Sequence, residues 1–153
     1  MSLKITPEIQ SYWDRFIESD SELSHLKSYK FEAWGFGNTP EMADELGQLV
    51  LEGKKTATCS LLRAYRGHED ELPQAGAYSV LCDGSEQPLC IVLVTHVWLE
   101  KFNNISEQHA FEEGEGDRSL AYWRKAHIEF FSQYDGFHEE DDLVYEKFKV
   151  AFK

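Results

Sequence analysis

At 153 residues, with 42% hydrophobic and 14% aromatic content, the chain has the composition of one folded domain and is not that of a disordered segment. A total of 28 acidic residues against 15 Lys and Arg leaves a formal charge of -13, a field that repels a phosphate backbone and argues against a long RNA groove. No apolar run nears the roughly 20 residues that span a bilayer, the first residues lack a signal-peptide pattern, and Cys59, Cys82 and Cys90 show no CxxC spacing.

These features lead to the expectation of a cytoplasmic protein over 1–153, a single domain with no membrane partner, no metal and no cofactor. In chain order, "TPEIQSYWDRFIES" predicts a helix at about 6–19, capped by Thr6 with Pro7 in its first turn. Its stripe is Ile9, Trp13, Phe16 and Ile17. "KFEAWGFG" reads as an aromatic extended segment. "TPEMADELGQLVLEG" repeats the helix signal, with Thr39 as cap, Met42, Leu46, Leu49 and Val50 as its buried face, and Gly53 as its stop.

"KTATCSLL" is short and β-branched and predicts a strand. "AYSVLCDG" and "PLCIVLVTHVWLEKF" predict an antiparallel pair joined by a turn at "DGSEQP", with His96 in the core. "SEQHAFEEG" predicts a brief helix capped by Ser106. "SLAYWRKAHIEFFSQY" predicts a longer one, buried through Leu120, Trp123, Ile128 and Phe131. In "LVYEKFKVAF", residues Val144, Phe148, Val150 and Phe152 share one parity, the mark of a half-buried strand. Strands separated by helices imply an α+β domain around a curved sheet or small barrel.

Two constellations can carry chemistry. In "EGKKTATCS", Lys54 and Lys55 precede Thr56, Thr58, Cys59 and Ser60. A lysine held beside hydroxyls acts as a base if desolvation dominates, or as an oxyanion stabiliser if it keeps its charge. Regular strand parity would place Lys54, not Lys55, on the face of Thr58; Lys55 reaches that face if the backbone turns after Gly53. In "EEGEGD", glycines alternate with Glu112, Glu113, Glu115 and Asp117, so that the loop can aim a carboxylate inward. His109 and His127 lie near these groups. Cys59 is a second possible nucleophile, and Trp34 and Phe36 are candidate stacking partners for a base.

"GKKTATCS" resembles the signature of ASCH domains, a family with a PUA-like fold. "FGNTPEMADELGQLVLEGKKTAT" and "EEGEGDRSLAYWRKAHIEFF" resemble the larger ASCH subgroup long catalogued as a domain of unknown function. The resemblance implies a small mixed β-barrel flanked by helices. It also implies either RNA binding, in some members ribonuclease action, or, as in smaller members, an amidohydrolase that removes the acetyl group of N4-acetylcytidine. Transferred by motif position, the catalytic residues are Lys55, Thr58 and Glu113, with Glu112 and Glu115 as alternatives for the glutamate.

Trp34, Phe36, Lys54, Ser60, Arg63 and Glu115 complete the expected substrate-binding set. The family commonly has a basic residue where Ser60 stands, the nearest arginine being Arg63. With the charge of -13, this favours a small neutral nucleoside-like partner over RNA. A ribonuclease would draw on Lys55, Arg63 and Arg66.

Overall fold

A computed structural model describes residues 2–153. It contains four α-helices, α1 (Pro7–Glu18), α2 (Pro40–Leu51), α3 (Glu107–Glu113) and α4 (Leu120–Phe131). The five strands are β1 (Glu32–Trp34), β2 (Ala57–Leu61), β3 (Tyr78–Cys82), β4 (Pro88–Lys101) and β5 (Asp142–Phe152). The strands hydrogen-bond in the order β1-β3-β4-β5-β2. The β1–β3 pair is parallel, whereas β3–β4 and β2–β5 are antiparallel, so the sheet is mixed and the fold is α+β.

The chain divides into two compact units. The first takes the residues up to Leu51, Gly76–Leu93 and Lys149–Lys153. Its core forms where α1 presents Ile9, Trp13, Phe16 and Ile17 to Ala33, Val80, Cys82 and Ile91 of the strands. Thr6 starts α1 as the spacing predicts, its hydroxyl accepting from Ile9 N at 3.2 Å. Trp13 stacks on Phe31 with ring centroids 4.4 Å apart. On α2 the buried positions are Ala43, Gly47 and Val50, while Met42, Leu46 and Leu49 are only half-buried. Small residues lie at the centre of this contact because α2 runs close to β4: a Cβ on Gly47 would meet Leu89 Cδ1 at 2.5 Å.

The second unit takes Glu52–Ala75 and Val94–Phe148. Leu61, Leu143 and Tyr145 of the strands pack with Phe102, Ile105, Ala110, Trp123 and Phe131. Ser106 and Ser119 cap α3 and α4, accepting from His109 N at 3.0 Å and Tyr122 N at 3.1 Å. The inward stripe of α4 runs through Leu120, Trp123, His127 and Phe131, and Ile128 is exposed. Apolarity alone picked the wrong neighbour there, because a histidine with a buried partner displaces an isoleucine from the inner face. His96 is likewise exposed rather than in the core, its Nδ1 3.0 Å from Thr95 Oγ1. β5 is buried on both faces from Leu143 to Glu146 and alternates only beyond that stretch.

Candidate active site

The second unit brings the end of α3 against the entry to β2. Thr56 N donates to Glu112 O at 2.7 Å, and the next rung follows as Phe148 N donates to Thr56 O at 3.1 Å. α3 stops at Gly114, whose φ of 76° few residues but glycine adopt without strain. A Cβ at that position would collide with the Lys54 carbonyl, so the glycine also permits the close approach. Arg118 closes the loop: Nε donates to Phe111 O at 3.1 Å and Nη2 to Lys54 O at 3.2 Å, with the guanidinium 3.6 Å above the Phe111 ring.

This packing turns Lys55 inward and leaves Lys54 in solvent, paired with Glu52 at 3.2 Å. Lys55 is 2% exposed. Its ammonium lies 3.1 Å from Glu115 Oε2 and 3.4 Å from both Glu113 Oε1 and the Glu113 carbonyl. The cation thus caps one of the carbonyls that α3 leaves without a helical partner, where the helix dipole favours positive charge.

Glu113, 1% exposed, is held by four donors. Besides Lys55, His109 Nε2 and Trp123 Nε1 donate to Oε2 at 2.8 and 2.6 Å, and His127 Nε2 lies 3.5 Å from Oε1. Burial alone would drive this carboxyl towards its neutral form. The charges of Lys55 and His127 and the hydrogen bonds from the histidines outweigh it and hold Glu113 well below the usual carboxylate range.

Lys55 obeys the mirror-image balance: burial works against its charge, but Glu113 and Glu115 raise its pKa above the ordinary value. His127 is raised too, Glu113 overcoming the effect of burial, and its Nδ1 donates to Trp123 O at 2.8 Å. Cys59 is pushed far up by burial and by the Glu113 charge, which makes it a neutral thiol and a poor nucleophile.

β2 and β5 then distribute side chains over two faces. Cys59 lies opposite Tyr145, on the side of His109, whose ring centroid is 4.6 Å from that of Tyr145. Thr58 lies opposite Glu146, and Ser60 opposite Val144, on the other side. Ser60 Oγ is 2.8 Å from Tyr65 OH. Glu146 is 8% exposed, and its pKa is raised to about 7 by burial and the Glu113 charge, with Lys55 acting in the opposite sense.

Lys55, Glu113 and Glu115 are therefore in direct contact, and Thr58 stands on the adjoining strand. Arg63 pairs with Asp141 at 3.4 Å and donates to Asp135 O at 2.9 Å. With Tyr65, Arg66, Glu69, Asp141 and Asp142 it lines a cavity of about 380 Å³. Glu112, the alternative glutamate, turns to Lys147 at 3.1 Å. Trp34 and Phe36 belong to the first unit, where they meet edge to face at 4.9 Å, with Phe36 buried.

Neither Trp123 nor Glu146 stands in a sequence motif that points to this site. Glu146 did leave a signal, since it is the one charged residue on the otherwise apolar parity of Val144, Phe148, Val150 and Phe152. Two groups, Cys59–His109–Glu113 and Glu113–Glu115–His127, hold ligand-type atoms within 4.8 Å of one another. The negative charge of Glu113 and Glu115 is already met by the Lys55 ammonium.

A family model described as the ASCH domain matches residues 32–151. The ASCH domain from Lactobacillus crispatus is 36% identical to this chain; the match covers 94% of each chain with a TM-score of 0.86. Protein EF3133 from Enterococcus faecalis is 35% identical, with 95% of this chain and 88% of that one covered and a TM-score of 0.82. No curated protein matches the chain.

Proposed function

The chain belongs to the ASCH domain family, and from its site we propose that it is a hydrolase that cleaves the amide of an acylated nucleoside such as N4-acetylcytidine. The observation that carries this reading is Lys55, an ammonium 2% exposed and fixed by two carboxylates at the start of the strand that bears Thr58. Amide cleavage passes through an oxyanion, and a preorganised cation with little water around it stabilises that charge more than bulk solvent does. In this reading Thr58 is the nucleophile, Lys55 the oxyanion partner and Glu113 the group that holds Lys55 charged and aimed. An uncharged nucleoside suits a protein of charge -13.

The test is incubation with N4-acetylcytidine and chromatography for cytidine. Release by the native protein, lost in Lys55→Ala and in Thr58→Val, is the expected result. Full turnover by Thr58→Val would rule out the covalent route.

RNA binding or ribonuclease action is the second reading, and Arg63 and Arg66 in the 380 Å³ cavity are the observation in its favour. Glu69, Asp141 and Asp142 share that lining and weaken it for a phosphate. Binding or cleavage of RNA would fall steeply with salt, whereas nucleoside deacylation would not.

A further inference from the structure

Proton transfer is the part of this chemistry that Lys55 and Glu113 leave unfilled. Attack by a threonine hydroxyl requires a group that takes its proton, and departure of an amine requires one that returns it. Lys55 is held protonated by Glu113 and Glu115, so it has no lone pair with which to accept. Glu113 is held ionised by four donors, so it has no proton to give. Cys59 is a neutral thiol on the opposite face of β2 from Thr58.

Glu146 stands directly across from Thr58 in the antiparallel β2–β5 ladder. Opposed residues of such a pair project to the same face, with Cα atoms roughly 4.5–5.5 Å apart, and a glutamate side chain spans that gap. The geometry points to Glu146 as the general acid–base of the site, exchanging a proton with Thr58 Oγ1; this rests on the amidohydrolase reading.

The charged and titratable groups around Glu146 are Lys55 at the entry to β2, Glu113 at the end of α3 and Tyr65 beyond β2. Burial raises the Tyr65 phenol, so that it stays neutral, while Lys55 and Glu113 act on Glu146 in opposite senses. Their balance with burial leaves Glu146 at about 7, where both protonation states are populated at neutral pH.

Thr58 Oγ1 bonds to the acyl carbon as its proton passes to the Glu146 carboxylate, and the carbonyl oxygen becomes an oxyanion facing the Lys55 ammonium. Collapse breaks the C–N bond, and Glu146 gives the proton to the departing amine. Water then attacks the acyl-threonine ester. Glu146 takes a proton from that water and returns it to Thr58 Oγ1 as the carboxylic acid leaves.

The experiment uses phenyl acetate as an acetyl donor that needs no nucleoside pocket. Phenol release is measured by chromatography from about pH 5 to about pH 9, and the rate of Thr58→Val is subtracted. The native protein is expected to show a Thr58-dependent rate that rises with a midpoint near 7. Glu146→Gln should lower that rate by about 10²–10⁴-fold and remove the midpoint while its urea midpoint stays measurable. If Glu146→Gln does not fold, Glu146→Asp keeps the carboxylate and should shift the midpoint.

A Glu146 variant that retains the native rate and midpoint overturns the assignment, as does a native rate with no Thr58-dependent part. N4-acetylcytidine left intact by a protein that passes this test would instead overturn the nucleoside as substrate and leave the Thr58–Glu146 assignment standing.

Discussion

Lys55 keeps its charge in a place with almost no water, and Glu113 and Glu115 are what make that state stable. Lys55→Met would leave Glu113 buried with its principal cation gone. Breaking a buried pair from one side costs about 3–5 kcal/mol, which urea unfolding of the variant should read as a lowered midpoint with an unchanged slope.

The pH dependence of stability separates the groups. Glu113 is depressed, so its contribution is present above the ordinary carboxylate value of 4.5 and lost as pH falls through its folded value. Glu146 is raised to about 7, so the folded state keeps a proton that the unfolded state has already released above 4.5. Its contribution is therefore lost as pH rises between those two values, on the order of 3 kcal/mol for a shift of that size. Urea midpoints measured across this window should fall with rising pH in the native protein and flatten in Glu146→Gln. His127 and Lys55 are both raised, so their contributions are full below the ordinary values of 6.5 and 10.5 and are lost as pH climbs through the folded ones.

Among the elements, α3 and its stop set the position of the site. Seven residues make a weak helix on their own, and α3 is fixed by its Ser106 cap, by Thr56 N on the Glu112 carbonyl and by Lys147 on the Glu112 carboxylate. Gly114→Ala combines a positive φ with a collision at the Lys54 carbonyl. It should destabilise the protein by more than about 1 kcal/mol, lowering the melting temperature, and should lose deacylating activity beyond that, because the end of α3 must retreat from Lys55.

The stripe of α4 gives a second contrast. Ile128→Ala changes an exposed position and should stay within about 0.5 kcal/mol of the parent. Phe131→Ala empties a buried one and should cost about 3–5 kcal/mol. Equal losses from the two would contradict the orientation of the helix. How β2 meets α3 also explains why the lysine pair resisted strand-parity reasoning: Lys54 and Lys55 precede the regular strand, so the alternation that orders Thr58 to Ser60 does not extend to them.

At the scale of the molecule, a charge of -13 repels itself as well as polyanions. Raising salt should stabilise the fold by screening that repulsion, and any association with single-stranded RNA should be confined to low salt. Thermal melting and an RNA-binding titration at two ionic strengths check both expectations. Tight RNA binding that persists at high salt would contradict the charge argument and favour the second functional reading.

The helices, most of the strands and the family were legible along the linear chain. Thr6, Thr39 and Ser106 cap helices because a hydroxyl before an apolar repeat satisfies free N–H groups locally, and Gly53 and Gly114 end helices because of their own φ values. Such interactions act within a few residues, so a linear reading captures them. Tertiary structure decided which lysine faces inward, which glutamate meets it, and that His127 rather than Ile128 belongs to the buried side of α4. It also set the protonation of the site: Lys55, Glu113 and Glu146 owe their shifts to burial and to charges on segments that lie far apart along the chain. Charge–charge energies depend on distance in space and on the exclusion of water, and neither quantity exists until the chain has folded.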